Sequence, residues 1–155
     1  MSVVWRIARA PYAALDGEGA RRAGGRWNSK GVALVYASRT LSLAALELLV
    51  HVDPATAPRD LVALAIALPD DASGVTLSDQ ALPDGWRAVE PPEACRQVGD
   101  QFAQQNDALV LSVPSVIIPR EQNVVINPRH VDMSRVRIED REPFTFDPRL
   151  LHGDA

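Results

Sequence analysis

LSLAALELLV, residues 41–50, is the stretch around which the rest of the chain can be organised, and it holds eight apolar side chains and one charged side chain, Glu47. Residues three and four positions apart share one face of an α-helix, so Glu47 would lie beside Leu43 and Ala44 with no Arg or Lys to pair with it. Glu47 therefore belongs either to a solvated stripe that continues to His51, or to a site where a carboxylate has a chemical role. The helix alone leaves both interpretations open.

The segments before this helix predict a loop and a strand, and the residues after it predict where the helix ends. VALVYA, residues 32–37, is an apolar run that predicts a buried strand, and Ser38 behind it is placed to cap the helix. Upstream, DGEGARRAGGRWNSKG, residues 16–31, contains five glycines and almost no apolar periodicity, which predicts a loop. The helix is expected to end before Asp53 and Pro54, because proline removes a helix donor and restricts the residue before it.

The rest of the chain predicts more strands than helices. A second buried strand is expected at LVALAIAL, residues 61–68, and an amphipathic helix at residues 93–105, with loops in residues 73–92 between them. Shorter apolar runs predict further strands at residues 3–7, 109–113, 124–126 and 136–138. Because the helices are interspersed among the strands without strict alternation, we expect a mixed α+β fold and not a doubly wound parallel sheet. Residues 1–155 are expected to form one domain, with a surface tail at residues 142–155.

Composition and charge limit the classes of partner that the chain is expected to bind. The chain has 155 residues, of which 46% are apolar, and a net charge of -4. No overall basic field attracts it to nucleic acid or to an anionic membrane, so neither is expected as a partner. No apolar run approaches the roughly 20 residues of a membrane helix, and the start of the chain lacks the pattern of a secretory signal. We therefore expect a soluble cytoplasmic protein.

The cysteine, histidine and serine residues give little support to a metal site or to a nucleophilic catalyst. The single Cys95 is expected to be a packing residue. The histidines at positions 51, 130 and 152 have no recognised metal-binding spacing, so no metal site is expected. A serine hydrolase could be assembled from Ser115, His130 and Asp132, but most chains of this size offer such a trio.

A stronger set of residues combines the run 24–28, GGRWN, with Tyr36 and Glu47. Glycines let a backbone approach a ligand closely, an Arg directly after them can fork onto a phosphate, and an aromatic ring can stack on a base. If loop, strand and helix pack together, Arg26, Tyr36 and Glu47 would line one cleft. The alternative is a flexible glycine loop with Arg26 exposed and Tyr36 packed in the core.

Four segments carry a resemblance to a known family. They are GRWN (residues 25–28), VYAS (35–38), LAALELLVH (43–51) and VPSVIIPREQNVVINPRH (113–130). In this order they resemble the signatures of the RES-domain toxins, bacterial toxins that are named for an Arg, a Glu and a Ser and that are paired with an Xre-type antitoxin. The resemblance extends from Trp5 to about Asp132.

The resemblance implies a fold similar to the ADP-ribosyltransferase toxins and NAD+ as the substrate. The named Arg and Glu would be Arg26 and Glu47, and the named Ser would be Ser115, with Ser112 left open as the alternative. These residues and Tyr36 form the implied catalytic group. The positions implied to contact NAD+ are Arg6, Arg26, Trp27, Asn28, Tyr36, Ser38 and Asn123.

The implied roles follow the chemistry of glycosidic cleavage. Breaking the bond from nicotinamide to ribose develops positive charge on the sugar, which Glu47 would stabilise. Arg26, helped by Arg6, would bind the pyrophosphate. Tyr36 would stack near the nicotinamide, while Ser115 and Asn123 would hydrogen-bond the amide or the ribose.

The acceptor and the partners are expectations of the same resemblance. The ADP-ribosyl group would pass to a protein target, with a glycohydrolase or phosphorylase that uses water or phosphate as the alternative. An Xre-type antitoxin would block the active site, and the chain would form a homodimer. An interpretation of a different class is a non-catalytic module that binds a nucleotide or a partner through the run 24–28.

Overall fold

The computed structural model describes residues 2–152, and the strands in this part of the chain form one mixed sheet. Within that part its seven strands are Ser2–Arg9 (β1), Val35–Ser38 (β2), Leu61–Leu68 (β3), Gly74–Thr76 (β4), Val110–Pro114 (β5), Gln122–Ile126 (β6) and Arg137–Pro143 (β7). The α-helices are Glu18–Ala23 (α1), Leu41–Leu49 (α2) and Glu93–Gln105 (α3). None of these helices is both long and apolar enough to cross a membrane.

The strands lie in the order β4-β5-β6-β2-β1-β3-β7. Neighbouring strands pair antiparallel, except β4 and β5, which are parallel. The predicted α+β class is therefore confirmed. The strand β3 has the predicted bounds and is buried along its whole length, because side chains on both of its faces meet apolar neighbours.

The two faces of the sheet have different coverings. On one face Val4, Leu64 and Ile126 form a core with apolar residues from the 10–15 and 133–136 segments. On the other face, here called the helical face, α2 and α3 pack against the sheet. There Ala44 of α2 joins a cluster with Ile7, and Phe102 of α3 joins one with residues of β5 and β6.

The helix α2 begins after Thr40, whose hydroxyl oxygen accepts from the backbone N–H of Leu43 at 3.1 Å. The prediction that Ser38 caps this helix is therefore wrong. Ser38 is the last residue of β2, so its side chain takes the direction that the sheet imposes. The predicted helix itself is confirmed, ending at Leu49 with Val50 as its C-terminal cap.

Two further sequence predictions need correction. The predicted loop 16–31 contains the short helix α1, in which the carboxylate of Glu18 accepts from Arg21 at 2.9 Å and attracts Arg22. These pairs three and four residues apart offset the poor helix propensity of glycine. The predicted loop 73–92 likewise contains the short strand β4.

The predicted surface tail 142–155 begins inside the sheet. β7 pairs with β3 as far as Pro143, and Phe146 is buried against the helical face. Its ring meets that of Phe144 edge to face at 5.2 Å, because the β7 pairing carries both phenylalanines back over apolar surface. Residues 153–155 of the tail lie outside the described residues, as does residue 1, and the single domain 1–155 stays a prediction.

The close approach of α3 to the segment before β2 depends on Gly99. A Cβ atom at this position would lie 1.6 Å from the carbonyl oxygen of Trp27 and 3.3 Å from a methyl carbon of Leu34. Only a residue without a side chain lets the helix backbone reach this depth. The contact fixes the segment that carries Arg26.

We expect Gly99→Ala to lower the free energy of unfolding by about 3 kcal/mol or more, because the added methyl group overlaps backbone atoms that cannot move aside. Urea or thermal unfolding followed by circular dichroism measures the change. Gly19→Ala in α1 is the matched control, since no atom lies within 4 Å of its added Cβ. Equal stability of the two variants would contradict this account of the helix contact.

Candidate active site

The carboxylate of Glu47 is held by two neutral donors. Its Oε1 accepts from the hydroxyl of Ser115 at 2.6 Å and from Nδ2 of Asn123 at 2.7 Å. Its Oε2 accepts no hydrogen bond from the residues that the structure describes, and the side chain is half-buried. One oxygen is therefore fixed while the other stays available to a ligand.

Ser115 is the best restrained member of this cluster. It follows β5 and is 0% exposed, and its Oγ accepts from the backbone N–H groups of Ile117 and Ile118 at 3.1 and 3.0 Å. With both acceptor positions of the hydroxyl used, its proton can only point at Glu47. Ser115 is thus built to orient a carboxylate and not to act as a nucleophile.

Ser112, the alternative serine, lies apart from this cluster. It alternates with Leu111 and Val113 along β5 and so faces the other side of the sheet. There its Oγ accepts from Nη2 of Arg39 at 2.9 Å. Ser115, and not Ser112, is the serine that contacts Glu47.

The structure does not bring together Ser115, His130 and Asp132, the trio that the sequence offered for a serine hydrolase. Ser115 follows the last residue of β5, whereas His130 lies beyond the far end of the paired strand β6. The Nδ1 atom of His130 accepts from the backbone N–H of Asp132 at 3.1 Å, and it has no contact with Ser115. Antiparallel pairing places these residues at opposite ends of two strands, which agrees with the little support that a serine hydrolase receives from the sequence.

Tyr36 and Asn28 brace the turn that carries Arg26. The Tyr36 hydroxyl donates to Oδ1 of Asn28 at 2.6 Å and accepts from the backbone N–H of Trp27 at 3.1 Å. Burial raises the pKa of Tyr36 well above its ordinary value, so it is a neutral donor here. A Cβ at Gly25 would come within 2.9 Å of both Asn28 Oδ1 and the Tyr36 hydroxyl, so this glycine is required by packing.

Two of the residues predicted to contact NAD+, Asn28 and Trp27, have buried side chains. Asn28 is 0% exposed, and its Nδ2 donates to the carbonyl groups of Ala20, Ser29 and Val32. Trp27 is 3% exposed and packs with residues of α3 and β5. Neither side chain is open to a ligand, because the turn is pressed between the sheet and α3.

Arg26 is the cation on the turn that Tyr36 and Asn28 brace. Its Nη1 donates to the carbonyl oxygen of Trp86 at 2.7 Å. Burial lowers the pKa of Arg26 below its ordinary value, and the negative charge of Glu47 opposes that shift. The guanidinium therefore lies within electrostatic reach of the Glu47 carboxylate and stays charged at neutral pH.

Arg6 is placed away from Glu47. In β1 it alternates with Trp5 and Ile7, so its side chain leaves the sheet on the face opposite to α2. Its Nη1 donates to the carbonyl oxygen of Tyr36 at 3.1 Å. It also lines a cavity of about 100 Å³ together with Asp16 and other residues of the 12–20 segment. The sequence prediction that Arg6 helps to bind pyrophosphate beside Arg26 is not supported, because strand alternation separates the two.

The loop around Trp86 was missed in the sequence. Besides the contact with Arg26, it supplies Arg87, whose Nε and Nη2 donate to the carbonyl oxygen of Val116 at 3.1 and 2.9 Å. The loop is thereby tied both to the Arg26 turn and to the segment after Ser115. In these hydrogen bonds the acceptors are backbone carbonyl groups far away in the sequence. Every residue has such a group, so no pattern of residue types could have predicted them.

Two sequence predictions remain, a contact of Ser38 with NAD+ and the lack of a metal site. Ser38 is 3% exposed, and its hydroxyl donates to Oδ1 of Asn123 at 2.6 Å. A direct contact of Ser38 with NAD+ is therefore not supported, since its donor and the surface around it are already used. Among residues 2–152, no group of three or more His, Cys, Asp or Glu side chains is arranged to hold a metal ion.

Known proteins of similar sequence bear on this arrangement. A protein of Sphingobium sp. named Prs ADP-ribosylating toxin is 39% identical over 153 residues, covering 95% of this chain and 95% of that one. Two proteins named Toxin Res, from Pseudomonas putida and Yersinia enterocolitica, are 41% and 34% identical, each over 96% of this chain and 99% of its own.

The fold is also found in a solved structure. The crystal structure of the M. tuberculosis MbcT-MbcA toxin-antitoxin complex contains a chain that matches with a TM-score of 0.76 at 21% identity, over 97% of this chain and 86% of that one. The RES domain family matches residues 3–147, which include all four motifs on which the sequence resemblance rests. The chain therefore belongs to the RES domain family.

Proposed function

We propose that this protein is the toxin of a toxin-antitoxin pair, which cleaves NAD+ between nicotinamide and ribose and transfers the ADP-ribosyl group to a protein. The observation that carries the proposal is the Glu47 carboxylate, with Oε1 fixed by Ser115 and Asn123 and Oε2 open. Membership of the RES domain family supports it, as does the name of the Sphingobium relative, an ADP-ribosylating toxin.

The chemistry requires a negative charge close to the ribose. When the C1′–N1 bond breaks, its electron pair leaves with nicotinamide, which departs as a neutral molecule, and positive charge develops on the sugar. Oε2 of Glu47 would stabilise that charge. A nucleophile of the acceptor then forms the new bond to C1′, and its proton passes to Glu47 or to solvent. No strong general acid is needed for the leaving group.

Arg26 would bind the pyrophosphate of NAD+. A guanidinium can donate two parallel hydrogen bonds to phosphate oxygens, and the Trp86 carbonyl that it contacts here is a weaker, uncharged partner. Phosphate oxygens would replace this carbonyl when the substrate enters. The ring of Tyr36 would then lie near the nicotinamide, with its hydroxyl still engaged in bracing the turn.

The partners belong to the same proposal. The chain with the similar fold comes from a toxin-antitoxin complex, which favours an antitoxin that covers Glu47 and Arg26. An Xre-type antitoxin and a homodimer follow from the sequence resemblance. Transfer to protein is preferred over transfer to water or phosphate because of the name that the Sphingobium relative carries.

We expect Glu47→Gln to slow nicotinamide release on the order of 100- to 1,000-fold, because the amide removes the charge that stabilises the ribose cation. It should also abolish growth arrest on expression. The release is measured by chromatography of reactions that contain NAD+. Glu139→Gln on the exposed strand β7 is the matched control and should keep wild-type rates. A Glu47→Gln protein with wild-type turnover would remove the basis of the catalytic proposal and favour a non-catalytic binding module.

Arg26→Lys should raise KM for NAD+ by about 10- to 100-fold, the effect of losing a charged hydrogen bond, with a smaller change in kcat. Lysine keeps the charge but cannot fork onto two phosphate oxygens. Initial rates over a range of NAD+ concentrations separate the two constants. Arg22→Lys on the exposed side of α1 should behave as wild type. An unchanged KM in Arg26→Lys would place the pyrophosphate elsewhere.

The acceptor is tested with NAD+ that is isotopically labelled in the adenylate half. Incubation with a lysate is expected to give free nicotinamide together with a protein that carries the label and the mass of one ADP-ribosyl group. Label found only in free ADP-ribose, or in ADP-ribose-1″-phosphate when phosphate is present, would identify a glycohydrolase or a phosphorylase and contradict transfer to protein.

A further inference from the structure

Ser38 and Asn123 are direct partners across two central strands. They are paired in the antiparallel register of β2 and β6, so their side chains leave the same face of the sheet side by side. The Ser38 hydroxyl donates to Oδ1 of Asn123 at 2.6 Å. Ser38 is also paired with Trp5 of β1, which places it between two neighbouring strands.

The Asn123 amide is held at both of its ends. Oδ1 accepts from Ser38, while Nδ2 donates to Oε1 of Glu47 at 2.7 Å. Rotation of the amide by half a turn would place Oδ1 against the carboxylate, two acceptors with no proton between them. Without the Ser38 hydroxyl, Oδ1 of the half-buried Asn123 would lose the donor that holds it, and the amide could rotate out of this plane to find another. The direction of Nδ2 therefore depends on Ser38.

We propose that Ser38 is a positioning residue that acts on Glu47 through Asn123 and makes no contact with NAD+. The inference rests on the proposed function in that it takes Glu47 as the catalytic carboxylate. Ser38 orients Asn123, Asn123 and Ser115 together fix Oε1, and Oε2 is left without a hydrogen bond from the described residues. The Ser115 donor is set separately by the backbone N–H groups of residues 117 and 118, so Ser38 controls only the Asn123 contact.

Loss of Ser38 should then affect the rate of the chemical step and not the binding of substrate. We expect Ser38→Ala to lower kcat for nicotinamide release about 10-fold, the value of one oriented hydrogen bond, with KM for NAD+ changed less than about 2-fold. Ser38→Thr keeps a hydroxyl at the same position and should retain most of the rate.

The matched control is Ser112→Ala. Ser112 is also a buried serine with one side-chain hydrogen bond, but it lies on the opposite face of the sheet. Its loss should leave kcat within about 2-fold of wild type, since it has no path to Glu47. Thermal unfolding of both variants shows whether a change in rate reflects a change in stability.

A double-mutant cycle decides whether Ser38 acts through Asn123. In an Asn123→Ala protein the hydrogen-bonded path from Ser38 to Glu47 is already broken, so adding Ser38→Ala should cause no further loss of kcat. A second 10-fold loss in that background, or a rise in KM with kcat preserved in Ser38→Ala alone, would overturn the inference. Wild-type kcat in Ser38→Ala would overturn it as well.

These results are distinguishable from failure of the proposed function. If Glu47→Gln is inactive while Ser38→Ala keeps the wild-type rate, only the role of Ser38 is wrong. If Glu47→Gln retains turnover, or if the wild-type protein releases no nicotinamide, the proposed function fails and the inference fails with it.

Discussion

A carboxylate on an otherwise apolar helix is the constraint on which the site depends. Glu47 projects from α2 toward the sheet, where an unpaired charge would be costly. Its Oε1 is satisfied by two neutral donors, Ser115 and Asn123, and not by a cation. Neutral donors fix the geometry of the carboxylate without cancelling its charge. The charge therefore remains available to a ligand, which a salt bridge with Arg26 would have prevented.

The rest of the fold supplies the supports for this arrangement. Strand pairing brings Asn123 beside Ser38, and the chain reversal after β5 gives Ser115 two backbone donors. On the other side of the site, the absence of a side chain at Gly99 lets α3 press on the turn that holds Arg26. The hydroxyl of Tyr36 locks the same turn from β2. A rigid scaffold thus separates one anion and one cation by a fixed geometry, as a reaction that develops charge requires.

Much of the fold could be predicted because β3 and α3 carry strong local patterns. An unbroken apolar run identified the bounds of β3, and an amphipathic repeat identified those of α3. The helix α1 was not predicted, because the glycines of its segment usually indicate a loop. In the site, ordered motifs identified Glu47, Ser115 and Asn123. The hydrogen bond from Ser38 to Asn123 and the contact between Arg26 and the Trp86 carbonyl could not be predicted, because residue types do not reveal cross-strand register or backbone carbonyl partners. The position of Arg6 on the opposite face of the sheet follows from strand alternation, which the motifs do not report.

The central claim is that the open oxygen of Glu47 faces the ribose of NAD+ while Arg26 binds the pyrophosphate. A crystal structure of Glu47→Gln with intact NAD+ tests it most directly, because slow turnover preserves the substrate. We expect the nicotinamide ribose to lie within hydrogen-bonding distance of the side chain at position 47. Phosphate oxygens should accept from Arg26 in place of the Trp86 carbonyl oxygen. NAD+ bound on the opposite face of the sheet, in the cavity beside Arg6 and Asp16, would contradict it.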